Sequence, residues 1–133
     1  MITAQELYDQ AKAAADKAGL KLSWGIFIGD GYCCPATALL LDKPAIQRCV
    51  VNSQSTLSSE RLAAADYIYK AIVVYLAYLF ECPTDTVCYF TSGVDDPECP
   101  FSQSGIFAGN HGGPDERVYN LGRDVGRLIR QHD

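Results

Sequence analysis

Cys33-Cys34-Pro35 places a thiol where a helix is set to begin, because proline suits the first helical turn. At a helix N-terminus, oriented backbone N–H groups and a partial positive charge lower a thiol's pKa, the setting of a thiolate nucleophile. Cys34 is therefore a candidate nucleophile. Adjacent cysteines in a short strand also point to opposite faces, where one packs inward as a small hydrophobe, and the burial habit of free cysteine favours this second reading. His111 lies in Gly109-Asn110-His111-Gly112-Gly113, a loop whose glycines permit close approach of backbone to a ligand. Cys34, His111 and Asp95 or Asp96 have the residue types of a Cys-His-acid triad, which is assembled in space and not in sequence. One reading of the chain is thus a Cys-dependent enzyme or small-ligand-binding protein that uses Cys34 and His111.

Cys82, Cys88, Cys99 and His111 are sufficient in number and type for a tetrahedral zinc site, but no C-x2-C pair exists among them. Asp95, Asp96 and Glu98 offer hard oxygen ligands in a loop that lacks the alternation and glycine of a calcium loop. A solvated acidic loop is the better account of them. The expectation is of no resident metal or cofactor.

Charge is distributed unevenly along the chain. From Ala71 to Glu116 there is no lysine or arginine, while Glu81, Asp85, Asp95, Asp96, Glu98, Asp115 and Glu116 all fall there. Arg117, Arg123, Arg127 and Arg130 then follow together. Such polarity suggests a surface built to meet a partner, with Asp95, Asp96 and Glu98 on one side and Arg123, Arg127 and Arg130 on the other as its candidate binding residues. The guanidinium geometry of the three arginines suits carboxylate or phosphate recognition, and a solvated helix face is the plainer alternative.

The sequence has 133 residues, 48% of them apolar and 20% charged, with six cysteines and a net charge of -5. That is an ordinary globular composition, and a single domain over residues 1–133 is expected. A net negative chain is poorly suited to polyanions, so neither nucleic acid nor an anionic membrane is an expected partner. The longest apolar run, Ala71 to Phe80, is short for a bilayer, and no transmembrane helix is expected. Met1 to Glu6 carries no basic or apolar leader pattern, so a cytoplasmic location with reduced thiols is expected.

Elements must position these residues. Thr3 and Glu6 form a capping box, Leu7, Ala11, Ala14 and Ala18 recur at helical spacing, and Gly19 supplies a left-handed end. Leu20 to Ile28 alternates with period two, and Gly29-Asp30-Gly31 turns the chain back into Tyr32-Cys33-Cys34 as a hairpin. Short helices are expected over 36–41 and 45–52. A long one follows over 59–80, apolar nearly all round in its second half and so expected to be buried, with Leu62, Ile68, Ile72, Leu76 and Leu79 in the core. Asp66 and Lys70 sit one turn apart on it, and Tyr67, Tyr69, Tyr75 and Tyr78 are expected to pack with their hydroxyls outward. Residues 86–92 fit helix or strand equally, and 94–113 read as an irregular acidic Gly/Pro-rich loop. Pro114-Asp115-Glu116 opens a last helix with the apolar stripe Val118, Leu121, Val125, Leu128 and Ile129; Gly122 and Gly126 admit a close neighbour beside it.

Three islands, Cys33 to Leu39, Phe90 to Asp96 and Tyr119 to Arg123, resemble scattered small bacterial proteins of no assigned activity. Those proteins share a Cys-rich turn before a helix, a Gly-x-Asp turn and a Leu-Gly-Arg terminal helix. The resemblance implies a compact, mostly helical domain and leaves function open. The fold expected is α+β and mainly helical, with about five helical segments around a central apolar helix and one N-terminal β-hairpin. The function expected is protein–protein binding, as a regulatory or inhibitory interaction protein of the kind a phage or mobile element encodes.

Overall fold

The computed structural model describes residues 1–104 and 109–132. The fold is α+β and mainly helical, with six α-helices and one small three-stranded sheet among the described residues. The chain forms two compact units, one of Asp9–Val74 and the other of Met1–Tyr8 with Tyr75–Asp133.

Helix α1, Ala4–Lys17, starts at the expected capping box: the Glu6 amide donates to Thr3 Oγ1 at 3.1 Å, and the Thr3 hydroxyl donates to Glu6 Oε1 at 2.9 Å. Leu7, Ala11 and Ala15 are its buried stripe, whereas Ala18 is exposed beyond the helix end. Gly19, at φ 74°, reverses the chain there, with the Leu20 amide donating to the Ala15 carbonyl at 2.8 Å.

The sheet in the Asp9–Val74 unit consists of β1 (Lys21–Leu22), β2 (Ile28–Gly29) and β3 (Tyr32–Cys33) in the order β1-β3-β2. The expected hairpin is present: β2 runs antiparallel to β3 with Ile28 opposite Cys33, and both Asp30 (φ 52°) and Gly31 (φ 84°) take the positive angles of a two-residue reversal. The run from Leu20 to Ile28 is two short strands and not one. Gly25, at φ 74°, breaks it, so β1 lies parallel to β3 on its other side, Leu22 opposite Cys33. Helices α2 (Pro35–Ala38) and α3 (Pro44–Asn52) follow, each opened by its proline.

Helix α4, Ser58–Phe80, is the longest element. Its buried residues form one row at four-residue spacing: Ala64, Ile68 and Ile72 in the Asp9–Val74 unit, then Leu76 and Phe80 in the other. Ile68, Ile72 and Leu76 are core residues as expected. Leu62 is not, being exposed, and Leu79 is only half-buried. A helix apolar nearly all round carries no periodic signal of which side faces inward; packing alone selects it.

In the unit that holds both termini, the ambiguous segment is helical: a 3-10 turn at Thr84–Thr86 leads into α5, Val87–Asp95. Val94 and Asp95 therefore belong to α5. A second 3-10 turn occupies Phe101–Gln103, and part of the expected loop, 105–108, lies outside the described residues. Helix α6, Pro114–Gln131, packs along α5 and buries Val118, Leu121, Val125 and Ile129, the expected stripe apart from half-buried Leu128. The expected close approach at Gly122 and Gly126 is present. A Cβ at Gly122 would overlap the Phe90 carbonyl oxygen, and one at Gly126 would lie 2.6 Å from the Val94 oxygen. Gly93 on α5 completes the contact, since a Cβ there would come within 2.8 Å of the Arg123 amide nitrogen.

Candidate functional site

Arg123, Arg127 and Arg130 project from one flank of α6 over the end of α5, and their partners are backbone carbonyls. Arg130 donates to the Val94 and Asp95 oxygens at 2.9 and 3.0 Å, while Arg123 Nε and Arg127 Nη2 share the Pro97 oxygen at 2.9 and 3.0 Å. The last carbonyls of a helix have no intrahelical N–H and carry partial negative charge, so Arg130 satisfies and neutralises two of them, while Arg123 and Arg127 hold the chain just beyond the helix end. Arg127 also pairs with Asp124 at 3.0 Å and lies 3.7 Å from Glu98. The polarity seen in the sequence thus has a structural use: the basic helix braces the backbone of the acidic segment. Asp95, Asp96 and Glu98 themselves are exposed, so their charge remains at the surface.

The His111 loop is braced in the same unit by the first turn of α6. The Asn110 amide donates to Asp115 Oδ2 at 3.0 Å and the Gly112 amide to Glu116 Oε2 at 2.6 Å. Asp115 Oδ1 also accepts from the Thr86 hydroxyl at 2.9 Å, which ties the 3-10 turn before α5 to α6. His111 packs edge-on to Phe101 with ring centroids 4.9 Å apart, and its Nδ1 lies 3.9 Å from Glu116 Oε2. Burial pushes the Tyr89 hydroxyl pKa upward, with Asp115 adding to the shift. Tyr119 is buried with its hydroxyl donating to the Cys99 carbonyl at 2.8 Å, and burial first, with the Cys99 side chain adding, pushes it up to about 12.

No disulfide joins any of the six cysteines. Cys34 caps α2: its sulfur accepts from the Thr37 amide at 3.4 Å and lies 3.3 Å from the Thr37 hydroxyl, with both residues buried. That helix has four residues, so the dipole behind the thiol is small. Cys33 is fully buried, and burial raises its thiol to about 12. Cys34 belongs to the Asp9–Val74 unit and His111 to the other, each with partners inside its own unit. Of the proposed zinc ligands, Cys88 donates to the Asp85 carbonyl at 3.3 Å and Cys99 to the Pro100 carbonyl at 3.6 Å. Among the described residues no three His, Cys, Asp or Glu side chains converge where a metal ion could sit.

Sequence reasoning missed the outward side of α4. A helix surface carries four rows of residues at four-residue spacing, and within the Asp9–Val74 unit the row opposite the buried one is Leu62, Asp66, Lys70 and Val74. Leu62, Val74 and Tyr78 are 70%, 67% and 81% exposed, and the Asp66 and Lys70 side chains 63% and 73%. Asp66 and Lys70 pair at 3.0 Å across one turn. Tyr67 and Tyr69 flank the row, half-exposed, with Tyr69 edge-on to Phe27. Beside it, a groove of about 230 Å³ runs between α3 and α4, lined by Cys49, Ala63, Ala64 and Tyr67 among others. Elsewhere in the same unit Lys17, Leu41, Asp42 and Gln47 border an open concavity of about 450 Å³. The signal for the outward face was Asp66 and Lys70 on one row of an otherwise largely apolar helix, an ion pair that fits a solvated edge and a partner-covered face equally well.

By length and mean hydropathy, 1.4 over its most apolar window, α4 is also sufficient to cross a membrane. Only 22% of that window is buried.

No protein-family model matches the chain, and neither the curated proteins nor the solved structures yield a match.

Proposed function

We propose that this protein acts by binding another protein, as a small regulatory or inhibitory interaction module, and that the outward row of α4 is its docking surface. One observation carries the reading: within the Asp9–Val74 unit α4 exposes Leu62 and Val74 along its outward row and Tyr67 and Tyr69 at its edges. Large apolar and aromatic side chains grouped on one exposed helix face mark association surfaces, and tyrosine is enriched in them because it offers a large rigid ring with a polar tip. The alternative occupant, lipid, fits the length of α4 but not its charges. Asp66 and Lys70 would lie within the hydrocarbon, where such residues cost about 2.5 to 3.5 kcal/mol each. In a protein interface both charges can be matched.

The exposed acids Asp95, Asp96 and Glu98 would add steering toward a cationic partner, since complementary charge acts mainly on encounter. A cytoplasmic setting, where thiols stay reduced, is part of this reading.

The test is site-specific photocrosslinking in cells, with a photoreactive amino acid in place of Val74 and, as control, of exposed Gln10 on α1. Position 74 should give a discrete protein adduct that position 10 does not. Adducts to lipid alone, or none above control, would overturn the reading.

A further inference from the structure

We propose that the protein covering the outward row of α4 is a second copy of this chain, its α4 lying antiparallel to the first about a twofold axis beside Ile68. This rests on α4 being a docking surface and names the occupant. The order of residue types along the row carries the argument: Leu62, Asp66, Lys70 and Val74 read apolar, acid, base, apolar at equal four-residue steps, all four exposed and all within the Asp9–Val74 unit.

A twofold interface must be complementary to itself, because the same patch serves both partners. Running two such rows in opposite directions about Ile68 sets Asp66 against Lys70 of the second copy, and Lys70 against its Asp66. The same operation sets Leu62 against Val74 at both ends, and Tyr67 and Tyr69 to either side. Every charge then meets its opposite and every apolar side chain meets another. A parallel pairing in register would oppose Asp66 with Asp66 and Lys70 with Lys70, so the charges select the antiparallel arrangement. In the single chain the two charges already pair with each other at 3.0 Å, so their heads are placed on one line before any partner arrives.

The charge-exchange experiment reads this directly. Asp66→Lys gives a chain with two lysines in the row, and Lys70→Asp one with two acids; each opposes like charges across its own twofold axis. By sedimentation equilibrium the unaltered chain should dimerise, and each single variant should associate at least about tenfold more weakly. An equimolar mixture of the two variants should form a heterodimer about as strong as the original dimer. The double exchange D66K/K70D should likewise dimerise. Circular dichroism checks folding, which an exposed pair of this kind supports only slightly.

A monomeric unaltered chain, or a mixture that associates no better than its components, overturns the twofold pairing. Should crosslinks from position 74 then identify a different protein, the docking surface stands and only this assignment of its occupant fails. Absence of protein crosslinks removes both.

Discussion

Gly122 of α6 faces the Phe90 carbonyl of α5 so closely that a Cβ on the glycine would overlap the oxygen. Gly93 and Gly126 make the same kind of approach one step away on either helix. Gly122→Ala should therefore force the two helices apart and lower stability by about 1 to 3 kcal/mol, the usual range for overpacking. Urea denaturation measures it. An unchanged midpoint would mean that α5 and α6 do not cross at these glycines.

Arg130 grips two successive carbonyls, Val94 and Asp95, at the end of α5. Replacing it with glutamine removes the charge and one donor arm, and should cost about 1 to 3 kcal/mol, as expected for hydrogen bonds that involve a charged group. Arg130→Lys should recover only part of the loss, because an ammonium cannot span both oxygens in one plane. If lysine restores full stability, the fork geometry is unimportant and the effect is one of charge alone.

Stability should fall at alkaline pH. Cys33 and Tyr119 hold their protons in the folded chain up to about 12, against ordinary values of 9.0 and 10.0. Below about pH 9 both are protonated whether folded or not, so they contribute no slope. Above it the unfolded chain releases these protons first and is favoured increasingly until about pH 12. Cys33→Ala should remove the part of the slope that begins near pH 9, and Tyr119→Phe the part that begins near pH 10. Denaturation at pH 8 and pH 10.5 compares them; identical slopes in all three proteins would contradict both assignments.

Thiol labelling separates packing from catalysis at Cys34. Cys88 is exposed, Cys82 and Cys99 are half-buried, and Cys33, Cys34 and Cys49 are buried. In native protein Cys88 should react first, held below the rate of a free thiol by its raised pKa. Cys33, Cys34 and Cys49 should label only on unfolding. Rapid native alkylation at Cys34 would instead mark a thiolate nucleophile and favour the enzyme reading with His111.

Local chemistry was legible in the residues themselves wherever a single turn or cap decided it. The Thr3–Glu6 box, the Gly19 reversal, the Asp30-Gly31 hairpin and the proline starts of α2, α3 and α6 all follow from backbone angles and hydrogen bonds within a few residues. The stripe on α6 was legible because its hydrophobic side is confined to one face, and Gly122 and Gly126 marked where a neighbour could approach. The break at Gly25 was less visible, since alternation continues across it while the positive φ does not.

Three things were decided only by tertiary structure. Arg123, Arg127 and Arg130 are near one another in sequence, but their targets at 94–97 lie a whole loop away, and only the α5–α6 packing brings carbonyls to guanidiniums. Cys34 and Thr37 could equally have faced solvent; the packing of α2 buries both and makes the Cys34 sulfur the helix cap. The inward row of α4 was chosen by its neighbours, because a largely apolar helix surface contains little direction of its own, and packing on one side leaves Leu62 and Val74 on the other.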